Sequence, residues 1–363
     1  MTSDTRIEDI DHIEFYVGNA KQSAHYYQSV MGFDLVAYSG PETGQRDRAT
    51  YLLQQGKIRL ALTTSISSDT EIAEHIHKHG DGVHDVAFET ADAKSLYESA
   101  LAGGAHSVQE PTVLKDDDGE VIKASVKTYG DTIHSFIERK NFKGLFLPHF
   151  AKRSSPNRLG NAGLRAVDHI VGNVDWNRMD AVCKFYEQAF GFRQFQSFDD
   201  ADISTEYSAL RSKVMTSPDE RIKLPINEPA EGKKKSQIEE YLKFYHGEGV
   251  QHIALITADI LSTVREMRSR GAEFISVPAS YYETLGERIK GLKESVSELK
   301  SESILVDQDE HGYMLQIFTK PVEDRPTLFY EVIQRRGSKS FGKGNFKALF
   351  EAIERDQAAR GNL

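Results

Sequence analysis

Apolar positions along this chain switch period at regular intervals. From Gly82, GVHDVAFET gives a mainly apolar run of strand length. ADAKSLYESALAGG follows, with apolar residues three to four positions apart and a glycine turn, and AHSVQEP closes the unit at Pro111. The pattern predicts a strand, an amphipathic helix, and a strand that ends at the proline. The same succession returns from Gly249 as GVQHIALITADILSTVREMRSRGAEFISVP, ending at Pro278. A second pair of echoes runs DHIEFYVGNAKQSAHYYQSVMGF over 11–33 and DHIVGNVDWNRMDAVCKFYEQAFGF over 168–192. Each opens on Asp-His-Ile, passes through a short strand and a helix with paired aromatics, and closes on Gly-Phe. A third joins IHSFIER, before Lys140, to FYEVIQR, before Arg336.

The chain therefore reads as a duplicated unit. Its halves cover roughly 1–150 and 160–363, and LPHFAKRSSPNRLGNAG between them has the Pro, Ser, Gly and Asn content of a linker. Each half repeats a β-α-β-β-β rhythm twice. That predicts an α+β fold in which the strands of each half curl into a partly open, barrel-like sheet with helices outside. The end of the chain, SFGKGNFKALFEAIERDQ, places two glycines before a helix whose Phe346, Leu349, Phe350 and Ile353 share one face. This helix is expected either to close over a pocket or to stay permanently docked as a terminal helix. ERIKGLKESVSELKSESI, from Glu287, predicts an exposed charged helix.

Composition agrees with two folded domains: 363 residues, 39% hydrophobic and 28% charged. No apolar run is long enough to span a bilayer and the first residues show no signal-peptide pattern, so a cytoplasmic location is expected. A net charge of −10 gives a nucleic-acid partner little electrostatic support, and Lys233, Lys234 and Lys235 read as a solvated loop. Cys183, the one cysteine, lies in the apolar helical stretch AVCKFYEQAF and reads as packing. It rules out an intrachain disulfide or a thiolate cluster, so a metal site would have to use His and carboxylate.

Aligning the halves sets His12 opposite His169, Asp85 opposite His252, and Ser135 opposite Glu331. Only the second half offers two imidazoles and a carboxylate on three strands, the ligand set of non-haem Fe(II) oxygenases. The first half is expected to bind no metal. Strand alternation groups Val167, His169 and Val171; Val250, His252 and Ala254; and Phe329, Glu331 and Ile333. A Glu between Phe and Ile on one face is costly to bury unless paired or bound to a cation. Taken singly, each His also reads as a hydrogen-bonded core residue and the Glu as solvent-facing.

Several segments resemble the 4-hydroxyphenylpyruvate dioxygenase family. They are QIFTKPVEDRPTLFYEVIQRRGSKSFGKGNFKALFEAIER from Gln316, VDHIVGNV from Val167, LPINEP from Leu224, KKKSQIEEYLKFYHGEGVQHIAL from Lys233 and SYYETLGER from Ser280. VGNAKQSAHYY and LVAYSGPETG extend the likeness into the first half, so it covers essentially the whole chain. The resemblance implies two tandem vicinal-oxygen-chelate open barrels, with Fe(II) held in the second by His169, His252 and Glu331. It implies 4-hydroxyphenylpyruvate and O2 as substrates, oxidative decarboxylation and ring hydroxylation to homogentisate as the reaction, and a homodimer or homotetramer. Carried over by position, the substrate pocket would comprise Ser212, Asn227, Gln237, Gln251, Gln316, Phe318, Phe329, Phe341, Asn345, Phe346 and Leu349, shaped by Pro225. Phe329 and Phe346 would sandwich the ring, and the amides and the serine would serve its hydroxyl. Gln251, beside His252, alternates to the opposite strand face and is the odd member.

Three other functions stay in view. Hydroxymandelate synthase uses the same substrate, metal and oxidant, but its pattern lacks the Pro and Asn of LPINEP and has a smaller aliphatic residue in place of Phe346. A glyoxalase-like isomerase would draw four ligands from two barrels. A binding protein of the same superfold would need no redox metal.

Overall fold

The computed structural model describes residues 5–154, 159–199, 205 and 207–362, so residues 155–158 of the expected linker lie outside the described residues. The first half supplies β1 (Ile7–Tyr16), β2 (Asp34–Ser39), β3 (Arg48–Gln55), β4 (Ile58–Ser65), β5 (Gly82–Thr90), β6 (Ser107–Asp116), β7 (Gly119–Lys127), β8 (Ile133–Phe142) and β9 (Ala151–Lys152). They form one curled sheet in the order β6-β7-β8-β5-β1-β4-β3-β2-β9. The second half supplies β10 (Leu164–Asn173), β11 (Arg193–Phe198), β12 (Ala209–Thr216), β13 (Lys223–Ala230), β14 (Gly249–Thr257), β15 (Leu305–Asp309), β16 (Gly312–Phe318) and β17 (Phe329–Arg336). Their order is β11-β12-β13-β10-β14-β17-β16-β15. In both sheets the first strands of two βαβββ modules pair antiparallel at the centre, β1 with β5 and β10 with β14.

The repeated Ala-Asp signal after β5 and β14 starts a helix each time. Asp92 and Asp259 accept the backbone N–H of Ser95 and Ser262, capping the helices Ala93–Ala102 and Ile260–Ser269. These helices and their partners Ala20–Ser29 and Met179–Phe190 cover the sheets, and one apolar core runs through both halves. Polar contacts knit the halves together. Tyr330 and Tyr27 share a hydrogen bond between hydroxyls (2.8 Å). Gln55 donates to the Met31 carbonyl and accepts from the N–H groups of Ala162 and Leu164, which anchors the start of the second sheet on the first.

His134 makes a further joint. Its Nδ1 lies 2.8 Å from the Val86 carbonyl and its Nε2 2.8 Å from the Tyr186 hydroxyl. A neutral imidazole satisfies both by donating to the first and accepting from the second. Burial lowers its pKa from 6.5 to about 4. The unfolded chain then takes up a proton that the native state refuses, so the stabilisation is complete above pH 6.5 and is lost as the pH falls toward 4. Urea denaturation is expected to show stability falling over that window by up to about 1.4 kcal/mol per pH unit from this group. His134→Gln should flatten the slope.

Three expectations need correction. β6 runs through Pro111 instead of ending there. It is an edge strand with shifted register at that point, where a missing N–H is tolerated. The stretch before Pro278 makes only a bridge, Phe274 with Thr319. The segment from Glu287 is no single exposed helix. Leu285–Arg288 and Val296–Ser301 are separate short helices, Gly291 between them has φ 71°, and Ile289, Leu299 and Ile304 are buried. Among the described residues no helix is long and apolar enough to cross a membrane.

Candidate metal centre and substrate cavity

Three neighbouring strands carry the expected ligands. Ala254 on β14 pairs with His169 on β10 and with Glu331 on β17, while His252 precedes it by two residues. The fully buried alanine methyl leaves space between the larger side chains. Glu331 Oε2 lies 3.1 Å from His169 Nε2 and 3.6 Å from His252 Nε2. Among the described residues this is the one trio of His, Cys, Asp or Glu whose donor atoms all fall within 4.8 Å of each other. Glu331 Oε1 is buried without a hydrogen-bond partner. A buried carboxylate with a free oxygen, facing two imidazole nitrogens, suits a cation.

Electrostatics point the same way. Burial opposes charge on Glu331, yet the two imidazoles hold its pKa below the usual carboxylate value. Burial also opposes protonation of His169, but Glu331 and Asp168 outweigh it and raise that pKa. For His252 burial prevails and the pKa falls.

Both histidines are oriented from behind. His169 Nδ1 is 2.8 Å from Asp168 Oδ1, and Arg335 holds the Asp168 carboxylate through two 2.7 Å bonds from Nε and Nη2. His252 Nδ1 is 3.0 Å from Gln251 Oε1. Such partners fix the tautomer and aim Nε2 at the metal position. Register shifts make these contacts possible. Asp168 is an extra residue between the pairs Val167–Leu255 and His169–Ala254, and Gln251 is extra between Gly172–Val250 and Val171–His252. A bulge breaks strict alternation, so Gln251 joins His252 at the cavity wall, contrary to the expected opposite face. By the same cause Val167 and Val250 leave the ligands' face and pack in the main core.

The first half retains this scaffold without the ligands. Asp11 is an extra residue beside His12, Arg139 pairs with Asp11, and Phe146 sits edge-on to His12 at 4.8 Å. In the second half Phe341 holds the matching position on His169 at 5.0 Å. Asp85, however, is bound by the N–H and hydroxyl of Ser135, and the Lys123 ammonium lies 3.8 Å away. Lys123 and Gln316 occupy equivalent registers, opposite Ile137 and Ile333. A fixed lysine cation stands near the acid in this half.

A cavity opens in front of the triad. Ser212, Asn227, Gln237, Gln251, Gln316 and Pro225 reach its wall, and so do Phe318, Phe329, Phe341, Phe346 and Leu349. Asn345 does not. Its side-chain oxygen accepts from the Tyr281 hydroxyl at 2.7 Å, so it pins the turn before the terminal helix Phe346–Ala359. Phe329 stacks on His252 (4.8 Å, 20°), while Phe346 stands edge-on to Phe198 (5.1 Å). The two rings thus reach the cavity braced by different partners.

Sequence reasoning missed Leu210 and Val214, although they flank Ser212 at period two on β12, and it missed Phe198 on β11. It also missed Asp168 and Arg335. The repeat carried that signal, because Asp-His and the matching Arg139 recur in the first half.

Over residues 9–131 and 166–317 the chain matches the sequence profile of the Glyoxalase/Bleomycin resistance protein/Dioxygenase superfamily. A 4-hydroxyphenylpyruvate dioxygenase of Yarrowia lipolytica is 53% identical over 366 residues, spanning 97% of this chain and 93% of that one. The chain belongs to the 4-hydroxyphenylpyruvate dioxygenase family. A family member from Caenorhabditis elegans is 48% identical over 364 residues, covering 97% of this chain and 93% of its own. Among solved structures, a triple mutant of 4-hydroxymandelate synthase from Streptomyces coelicolor aligns with a TM-score of 0.87 at 32% identity, covering 97% and 99% of the two chains.

Proposed function

We propose that His169, His252 and Glu331 hold iron(II), and that the chain converts 4-hydroxyphenylpyruvate and O2 into homogentisate and CO2. The observation that carries this reading is the buried triad facing a cavity of aromatic rings and amides, in a chain about half identical to named dioxygenases. No Lys or Arg is among the described residues that line the cavity, and Glu331 adds a negative charge. An anionic keto acid would be repelled there without a cation. Iron(II) at the triad supplies that cation and the electrons for dioxygen chemistry.

The chain's own residues bind and aim the substrate. Phe318, Phe329 and Phe346 give the aromatic ring an apolar seat. Ser212, Asn227, Gln237 and Gln316 offer donors and acceptors to the phenol, which costs about 1–3 kcal/mol if buried unpaired. Pro225 and Asn227 reach the cavity from the same strand, β13, and set how deep the ring sits. Fixing the ring beside the reacting keto acid removes much of the entropic barrier.

The terminal helix serves as a lid in this reading. Leu349, Phe350 and Ile353 roof the cavity. Glu354 is held by the hydroxyls of Ser208 and Thr205, and Arg355 donates to the Ser276 carbonyl. Gly342, in the left-handed region at φ 79°, precedes it, and a Cβ there would lie 2.6 Å from the Gln316 amide. A chain ending at Gly342 should admit water and consume keto acid without matching homogentisate formation. Unchanged coupling would remove the lid.

Oxygen uptake with iron(II) and 4-hydroxyphenylpyruvate, followed by product chromatography, tests the function. Homogentisate is the expected product. Hydroxymandelate in its place would favour the synthase, against the presence of Pro225, Asn227 and Phe346. A protein that binds the keto acid but takes up no oxygen would be a binder.

A further inference from the structure

Beside the substrate cavity lies a second, smaller chamber. Gln237, Gln251, Phe318, Phe329 and Ile353 line both spaces, so only a layer of side chains separates the chamber from the triad. Tyr241, Ile275, Pro321 and Pro326 give it a largely apolar wall that takes no part in the substrate cavity. At the other end stand Glu240, Asp356 and Arg360. Arg360 pairs with Glu240 at 2.8 Å and with Asp356 at 3.0 Å. Glu240 also borders a surface cleft lined by Trp176, Lys234 and Lys243, so the chamber adjoins the outside there.

We infer that this chamber admits dioxygen to the metal centre by a route separate from the one the keto acid takes. The inference rests on the dioxygenase reading and deepens it. With the ring and the keto acid filling the front cavity beneath the terminal helix, an oxidant arriving from the front meets occupied space. The second chamber reaches the triad past the Phe329 ring, which is stacked on His252. Its walls select among the reaction's small molecules. An apolar interior accepts a neutral diatomic gas and disfavours an anionic keto acid, whose charge would lose its hydration there.

Xenon reports such spaces, because dry apolar cavities bind it whereas polar ones hold water. Crystals of the iron(II) enzyme with keto acid, kept free of oxygen and pressurised with xenon, should show a xenon atom against Ile275, Phe318 and Phe329. Ordered water alone in the chamber, or xenon only elsewhere, overturns the inference. Kinetics provide the second arm. Ile275 lines the chamber but not the substrate cavity, so Ile275→Trp should raise the KM for oxygen several-fold. The KM for keto acid, the iron content and kcat at saturating oxygen should hold, and Ile275→Val should behave like the wild type. A folded Ile275→Trp enzyme with an unchanged oxygen KM also overturns it. If that variant does not fold, the xenon result decides alone. Xenon occupancy requires no turnover, so its failure leaves the dioxygenase reading standing, whereas absence of oxygen uptake by the wild type sinks that reading itself.

Discussion

Replacing Glu331 with glutamine is expected to abolish turnover and to weaken iron(II) binding by two to three decades while leaving the fold intact. A full set of structural zinc ligands contributes about 10–16 kcal/mol, so one anionic ligand in three accounts for on the order of 3–5 kcal/mol. The amide nearly matches the carboxylate in shape but brings no charge. Stability should change little, because the amide keeps the shape of the side chain and Oε1 has no hydrogen-bond partner to lose. Thermal melts distinguish the two effects. Iron(II) at a hundred times its dissociation constant should stabilise the wild type by about 2.7 kcal/mol and give no comparable shift for Glu331→Gln. A variant that melts early without metal would mean that Glu331 is a structural acid.

The second large effect lies one step behind the ligands. Asp168 is 6% exposed at its side chain and Arg335 13%, so their pair is nearly dry. Arg335 and His169 hold the Asp168 carboxyl well below the usual range against the opposing effect of burial. Asp168→Ala leaves the guanidinium without its main partner, for which a loss of about 3–5 kcal/mol is expected. It also frees the His169 ring, which should weaken metal binding about 10–100-fold. Chemical denaturation and metal titration read these separately. The double variant Asp168→Leu/Arg335→Met should recover much of the stability, since no charge is left unpaired, but not the affinity. Recovery of both would show that the pair only fills space.

The candidate ligands were legible because the chain contains its own comparison. His12 against His169 says little, but Asp85 against His252 and Ser135 against Glu331 show one half equipped where the other is not. The four-module architecture was legible for the same reason. Side-chain direction was not, since alternation assumes an unbroken register. The extra residues Asp168 and Gln251 shift it, turning Gln251 into the cavity and sending Val167 and Val250 to the core. No Gly or Pro marks the first bulge, although Gly172 stands at the second register shift. Asn345 shows a different limit. The family resemblance placed it in the pocket, yet its oxygen is taken by Tyr281, a partner 64 residues away. Lys123 near Asp85 likewise depends on pairing between β7 and β8, which a linear reading of strands does not fix.

Anomalous diffraction at the iron edge tests the central claim most directly, using crystals of the wild type loaded with iron(II) without oxygen. One peak is predicted at bonding distance from His169 Nε2, His252 Nε2 and a Glu331 oxygen, on the side that faces Phe329 and Gln316. A peak coordinated by other residues, or no peak in protein that still turns over keto acid, would contradict it.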